Sequence, residues 1–183
     1  MSSKLNKILI IDLEGTCDEP KPAPFDLEII EIGVCVLDTK SLEIVDQESI
    51  LVYPTTSWVT PFCTELTGIT PESLKDARSF TKAVKYLQET YGTKNKVWAS
   101  WGDYDRTMFE VQCKRENVDY PFGVGHINIK TIFSLFGGMP RGIGVKAAVE
   151  QLGLEWEGRQ HSGLDDSINT ARVFKEIIKR HPK

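Results

Sequence analysis

The sequence has no pair of cysteines spaced to grip a metal. Its four, Cys17, Cys35, Cys63 and Cys113, lie far apart and form no Cys-x-x-Cys, so neither a zinc site nor a disulfide framework is expected, and reduced, mostly buried thiols are. No run of residues reaches the roughly 18 to 20 consecutive apolar positions of a membrane span, and the charged-then-apolar pattern of a secretory signal is missing. The expectation is a cytoplasmic protein with no membrane partner. Positive charge is not in excess either. With 22 Lys and Arg against 26 Asp and Glu the net charge is −4, which excludes a protein that coats nucleic acid by bulk electrostatics but not an enzyme that holds a strand end through a few local cations. There is no internal repeat, low-complexity tract or linker. The 183 residues read as a single domain, 1–183, with a core of about 7–179 and with Lys4 and His181-Pro182-Lys183 as frayed ends.

What is present alternates between strand and helix signals. Ile8, Leu9, Ile10 and Ile11 form an apolar run suited to a strand buried on both faces. A loop at 18–26 with three prolines, Pro20, Pro22 and Pro24, separates it from two further strands at 28–38 and 44–53. Short turns predict that these three strands form an antiparallel meander. Residues 61–66 predict one helical turn before Gly68, and Thr70-Pro71 offers a hydroxyl cap with proline at the first helical position. Phe80, Ala83, Val84, Leu87 and Tyr91 recur at helical spacing and stop at Gly92. A buried strand follows at 97–101, and then a helix at 106–116 with Met108, Phe109, Val111 and Cys113 as its inward positions. A short strand at 127–129 and helices at 130–136 and 145–152 come next, the first of them closed by Gly137-Gly138. The last helix, 163–179, carries Leu164, Ile168, Ala171, Phe174 and Ile178 as its apolar stripe. The pattern predicts an α/β domain with a mixed sheet, the antiparallel meander joined by parallel strands and flanked by helices.

Carboxylates stand where several of these elements end. Asp12 and Glu14 follow the first apolar run. Because strand side chains alternate faces, both project to one side while Leu13 points away. Two carboxylates in one small space repel each other unless a cation lies between them, and hard divalent ions prefer oxygen ligands of this kind. Gly15 and Thr16 then supply a flexible backbone and a hydroxyl where a ligand can approach. Asp103 or Asp105 follows the fourth strand, and Asp165 or Asp166 opens the last helix. His161 lies five residues before Asp166.

The order Asp-x-Glu, then Asp, then His with Asp five residues later, resembles the DEDDh group of 3′–5′ exonucleases, whose fold is similar to ribonuclease H. The segments at 10–17, 28–33, 66–70 and 161–167 resemble the branch containing the histone-mRNA 3′ exonuclease, the Eri-type nucleases and the KapD-like proteins, and the match runs from about Lys7 to Lys179. The resemblance implies that Asp12, Glu14, Asp105 and Asp166 hold two divalent ions, Mg²⁺ or Mn²⁺, with Asp12 bridging both. Glu14 and Asp166 would complete the first, and Asp105 would act through water on the second. Asp103 is the alternative third acid. His161 would be the general base, since an imidazole can take a proton from water near neutral pH. Gly15, Thr16, Leu66 and Ile69 would line the pocket for the terminal nucleotide, and Arg141 and Lys146 are candidate phosphate contacts. The implied function is a metal-dependent 3′–5′ exonuclease that degrades single-stranded nucleic acid, RNA rather than DNA by its nearest branch, to nucleoside 5′-monophosphates. The alternatives are a nucleic-acid-binding or regulatory module of the same fold without turnover, and an exonuclease specific for DNA or very short oligonucleotides. A protein partner for substrate targeting is left open.

Overall fold

A computed structural model describes residues 5–19, 23, 26–123, 125–137, 139 and 141–180. The expected frayed ends at Lys4 and at His181-Pro182-Lys183, the three loop prolines and the Gly138 half of the helix breaker lie outside the described residues.

The meander forms as the apolar runs predict. Strand β1 (Lys7–Gly15) pairs antiparallel with β2 (Ile29–Asp38), which pairs antiparallel with β3 (Glu43–Tyr53). β1 also takes β5 (Trp98–Ser100) as a parallel neighbour, and β5 pairs parallel with β6 (His126–Asn128). A two-residue strand that the sequence reading did not anticipate, β4 (Arg78–Ser79), closes the far edge beside β3, giving the order β4-β3-β2-β1-β5-β6. β1 and β2 lie at the middle and read as continuous buried runs because helices cover both their faces.

On one face Leu9, Ile11 and Leu13 of β1 pack with α2 (Phe80–Tyr91) and α3 (Tyr104–Glu116). On the other, Ile8 and Ile10 pack with α4 (Ile129–Phe136), α5 (Val145–Gln151) and α6 (Gly163–Arg180). The period of two thus sends Asp12 and Glu14 toward the α6 face. α1 (Pro61–Thr67) roofs a third, smaller cluster with Ile30, Val59, Cys63, Ile69 and Leu74. Thr70 and Ser73 cap each other's N–H groups as the Thr-Pro signal predicts, yet only a 3-10 turn, Glu72–Leu74, follows.

α3 departs from its predicted face. It begins at Tyr104 rather than 106, and its buried positions are Asp105, Met108, Phe109, Gln112 and Cys113, while Val111 is exposed. Gln112 takes the inward place because the β1–β2 register slips between Glu14 and Gly15. The Ile29 N–H donates instead to Gln112 Oε1 at 2.7 Å, so a polar side chain is satisfied in the core.

Helix α6 lies on the sheet with nothing between the two backbones. A Cβ added at Gly33 of β2 would run into the Gly163 main chain, and one at Gly163 would stand 3.1 Å from the Asp12 carbonyl oxygen. Two glycines therefore let the start of α6 approach the strand that carries Asp12.

Candidate active site

The pairing of β1 with β5 extends only over Leu9 and Ile10. Beyond that point β1 is open on its β5 side, and the space is taken by the first turn of α3. The Leu13 N–H donates to Asp105 Oδ1 at 3.0 Å. This anchors the buried Asp105 carboxylate beside the strand that carries Asp12 and Glu14. Asp103 does otherwise: its side chain is 65% exposed, and Oδ2 accepts from Asn128 Nδ2 at 2.8 Å. Of the two candidates for the third acid, Asp105 is the one the fold turns inward.

The fourth acid comes from α6. Glu31 of β2 reaches across and accepts the N–H groups of Gly163 (2.9 Å) and Leu164 (3.3 Å), capping α6 from the neighbouring strand. That cap orients the first turn, so that Asp166 faces Glu14. His161 precedes the helix with φ +59°, a left-handed conformation unusual for a residue with a Cβ. Its N–H donates to Asp166 Oδ2 at 3.2 Å. Glu14, His161 and Asp166 thereby bring one ligand atom each within 4.8 Å of one another, with the imidazole on the exposed side.

The loop that carries His161 is tied down at several points. Glu157 and Asn169 exchange two hydrogen bonds, the Arg159 N–H donates to Asp165 Oδ2 at 2.8 Å, and Lys146 Nζ donates to Gln160. The Arg159 guanidinium spans to α1 and donates to the carbonyls of Glu65 (2.7 Å) and Leu66 (3.3 Å).

Electrostatics sets this cluster apart. Burial is the largest cause of a rise in the pKa of every one of the four acids, and their mutual repulsion adds to it for Asp12, Glu14 and Asp166. Asp12 is pushed well above the carboxylate range by burial, then by Asp105, Asp166, Glu14 and Glu31. Glu14 rises to about 8, with Arg159 opposing, and Asp166 to about 7 against the His161 N–H bond. Asp105 rises only to about 6 because the N–H groups of Leu13 and Asp105 itself and the Ser100 hydroxyl favour its charged form. Asp166 Oδ1 is buried without a hydrogen-bond partner. Four buried carboxylates whose charge the chain compensates only in part, one with an orphaned oxygen, are the donor set that a hard divalent cation fits.

Beside the acids opens a cavity of about 650 Å³, within the size range of small-ligand sites, walled by Leu13, Glu14, Gly15, Leu27, Leu66 and Tyr104. Gly15 and Leu66 stand where they were expected. Thr16 lines the cavity as expected, its side chain fully buried and its hydroxyl accepting from the Glu28 N–H at 2.9 Å and meeting Ser57 Oγ at 3.0 Å. Ile69 belongs to the core beneath α1 and is not among the described residues of the wall. Lys146 is exposed and, through Gln160, adjoins the His161 loop; Arg141 is exposed on the segment before α5. Sequence reasoning missed Tyr104, Leu27, Glu31 and Arg159. The available signals were an aromatic residue next to the third acid, a glutamate inside the 28–33 segment, and a cation two residues before the histidine.

This architecture recurs in solved proteins. The nuclease domain of 3′hExo, described as a DEDDh family member bound to rAMP, superposes with a TM-score of 0.87 at 34% identity, covering 99% of this chain and 96% of that one. A 3′-exonuclease solved in 3′-end-specific recognition of the histone mRNA stem-loop gives 0.89 at 32% identity, covering 98% and 84%. The mixed sheet with its helices is the ribonuclease H-like exonuclease fold. Residues 9–174 match the family described as Exonuclease (RNase_T). The 3′–5′ exoribonuclease 1 of Rattus norvegicus is 39% identical over 97% of this chain and 54% of its own, and ERI1 exoribonuclease 3 of Bos taurus is 30% identical over 94% and 53%. The chain belongs to the DEDDh group of the Exonuclease family. It spans about half the length of the curated relatives it matches.

Proposed function

We propose that the protein is a 3′–5′ exonuclease that removes nucleoside 5′-monophosphates from the 3′ end of single-stranded RNA, using two divalent ions, Mg²⁺ or Mn²⁺. The observation that carries the reading is the convergence of Glu14, Asp166 and His161 beside a cavity of about 650 Å³. Relatives named as exoribonucleases favour RNA over DNA.

Asp12, Glu14, Asp105 and Asp166 would hold the cations. Bound there, divalent ions supply the positive charge that a phosphodiester needs as its own negative charge grows, and they lower the pKa of an attacking water. Leu13, Leu27, Leu66 and Tyr104 offer the terminal base an apolar wall, and the Gly15 backbone lets the sugar come close. His161, exposed at the mouth and fixed through its own N–H to Asp166, takes the proton of the water that attacks phosphorus. As the new P–O bond forms, the bond from phosphorus to the 3′-oxygen of the shortened strand breaks, and that oxygen leaves with the electron pair and is then protonated. Arg159, by holding the carbonyls of Glu65 and Leu66, keeps the nucleotide wall in register with the histidine loop. Lys146, which adjoins the histidine loop through Gln160, and Arg141 would contact further phosphates of the strand.

The test is a time course on matched 5′-labelled single-stranded RNA and DNA, with Mg²⁺, with Mn²⁺ and with chelator, for the wild type and His161→Ala. A metal-dependent ladder that shortens from the 3′ end is expected, faster on RNA, with His161→Ala slowed about 100-fold or more while strand binding persists. No cleavage by folded wild type with either metal would refute turnover, and near wild-type rates in His161→Ala would remove the histidine from its role.

A further inference from the structure

Along α3 lies a second hollow, of about 290 Å³, that the proposed reaction does not use. Leu27, Tyr104, Met108 and Val111 give it an apolar lining, and Asp26 and Arg115 add one charge of each sign. Three of these residues tie it to the cavity beside the acids. Leu27 and Tyr104 line both hollows and so form the partition between them. Met108 reaches beneath Gly15, where a Cβ would overlap its terminal methyl group, so the side chain that one cavity residue lacks makes room for a lining residue of the other hollow. Single apolar residues on a surface are ordinary, but these converge on one concavity. Tyr104 is 58% exposed and Val111 56%, so both keep most of their surface for a molecule outside the fold. The Arg115 guanidinium donates to the Leu27 carbonyl at 3.2 Å. That bond uses one of its five N–H groups, and the exposed side chain keeps others for an anion.

We propose that this hollow is a second nucleotide subsite, which takes the base next to the terminal one, with Tyr104 and Leu27 standing between the two bases. The inference rests on the reading of the larger cavity as the seat of the terminal nucleotide. Two adjoining hollows that share a wall suit two consecutive residues of one strand, and the smaller is near the lower limit of about 300 Å³ for ligand sites, which suits a single base. An aromatic wall accepts any sequence, because every base presents a π face. The second base would lie against Tyr104, Met108 and Val111, and Arg115 would meet the phosphate on its 5′ side. Val111 is then exposed on α3 because its contact is with the strand and not with the core.

A base deleted from the substrate and a side chain changed in the protein probe this contact from its two sides. The substrates are short 5′-labelled single-stranded RNAs that are intact, abasic at the second position from the 3′ end, or abasic at the fourth. The readout is kcat/KM for release of the terminal nucleotide, with Mg²⁺ and with Mn²⁺. For the wild type, loss of the second base is expected to lower kcat/KM about 10-fold, chiefly through KM, and loss of the fourth less than about twofold. Val111→Asp is expected to lower kcat/KM on the intact strand by a similar factor, and the missing second base then costs less than about threefold more, because the contact is already gone. If Val111→Asp does not fold, Val111→Ser is judged by the same criterion. Equal losses for the second and fourth bases, or an abasic penalty as large in the variant as in the wild type, overturn the proposal. Wild-type rates for the variant on the intact strand also overturn it and point to a protein as the occupant of the hollow. No release from the intact strand by folded wild type overturns the exonuclease reading and this one together, whereas normal release that ignores the second base overturns this one alone.

Discussion

Glu28 and Glu14 both lie near the cavity beside the acids and both are buried, yet the protein treats them in opposite ways. Glu28 accepts the N–H groups of Thr55, Thr56 and Ser57 and the hydroxyls of Thr55 and Ser57, and these bonds outweigh burial and bring its pKa down to about 2. Glu14 faces Asp166, Glu31 and Asp105 and is driven up to about 8. The first acid is satisfied within the chain and holds the 55–57 turn behind the cavity. The second is left wanting more positive charge than Arg159 supplies. Equal burial with opposite pKa direction separates an acid that builds the fold from an acid that awaits a ligand.

The comparison breaks most visibly at Asp12. Asp12→Asn should reduce strand hydrolysis to background, and because it removes one charge from a repelling cluster it should also raise the metal-free melting temperature at pH 8 by about 2 to 4 °C. Turnover within tenfold of wild type would mean that the cluster is not the reaction centre.

At Glu28 the signs should reverse. Glu28→Gln leaves several donors of the turn facing an amide that can satisfy only some of them, and urea unfolding should show a loss of about 2 to 4 kcal/mol. Turnover per folded molecule should fall less than about tenfold. An unchanged urea midpoint would sink the view of Glu28 as the anchor of that turn.

The smallest effect sharpens the contrast without any substitution. Glu14, Asp166 and Asp105 hold protons in the folded chain up to about pH 8, 7 and 6, whereas unfolded carboxyls release theirs near about pH 4. Between these limits the native state binds more protons, so this contribution is fully present below about pH 4 and is lost as pH rises through 6 to 8. The metal-free melting temperature should therefore fall by about 5 °C from pH 5 to pH 8, and Mn²⁺ should raise it more at pH 8 than at pH 5. A gain independent of pH would show that the ion binds elsewhere.

The parts of this contrast differ in how far the sequence discloses them. Asp12 and Glu14 could be read because strand alternation is local: an apolar run fixes the strand, and the period of two assigns both acids to one face. The same holds for α6, whose apolar spacing put Asp166 in its first turn. Glu31 could not be read in this way, since its task is to cap a helix that begins 132 residues later. Val111 was misread for a related reason. The position that faces inward on α3 is settled by an unpaired N–H at Ile29, on a strand far away in the chain, which requires a glutamine rather than an apolar residue. Ile69 was expected at the cavity because its segment resembles a known motif, but whether a side chain faces a cavity or the core beneath it depends on how α1 sits, which spacing does not report. The resemblance prefers Asp105 to Asp103, but the physical reason lies in the open edge of β1, where Leu13 has an N–H to give.

The contact between Gly33 and Gly163 gives the site a gauge made of main chain. A spacing set by side chains can drift by a methyl group as Val becomes Ile or Ala becomes Val. Here the interval between the sheet and α6 is set by peptide units in van der Waals contact, the one component that every residue type shares, and it has two settings only, glycine at both points or the helix lifted away. Asp166 stands one turn beyond that contact and Asp12 lies directly beneath it, so the separation of acids on different elements is calibrated by the atoms that two residues lack. Much of the outer surface can change its chemistry without altering that measurement.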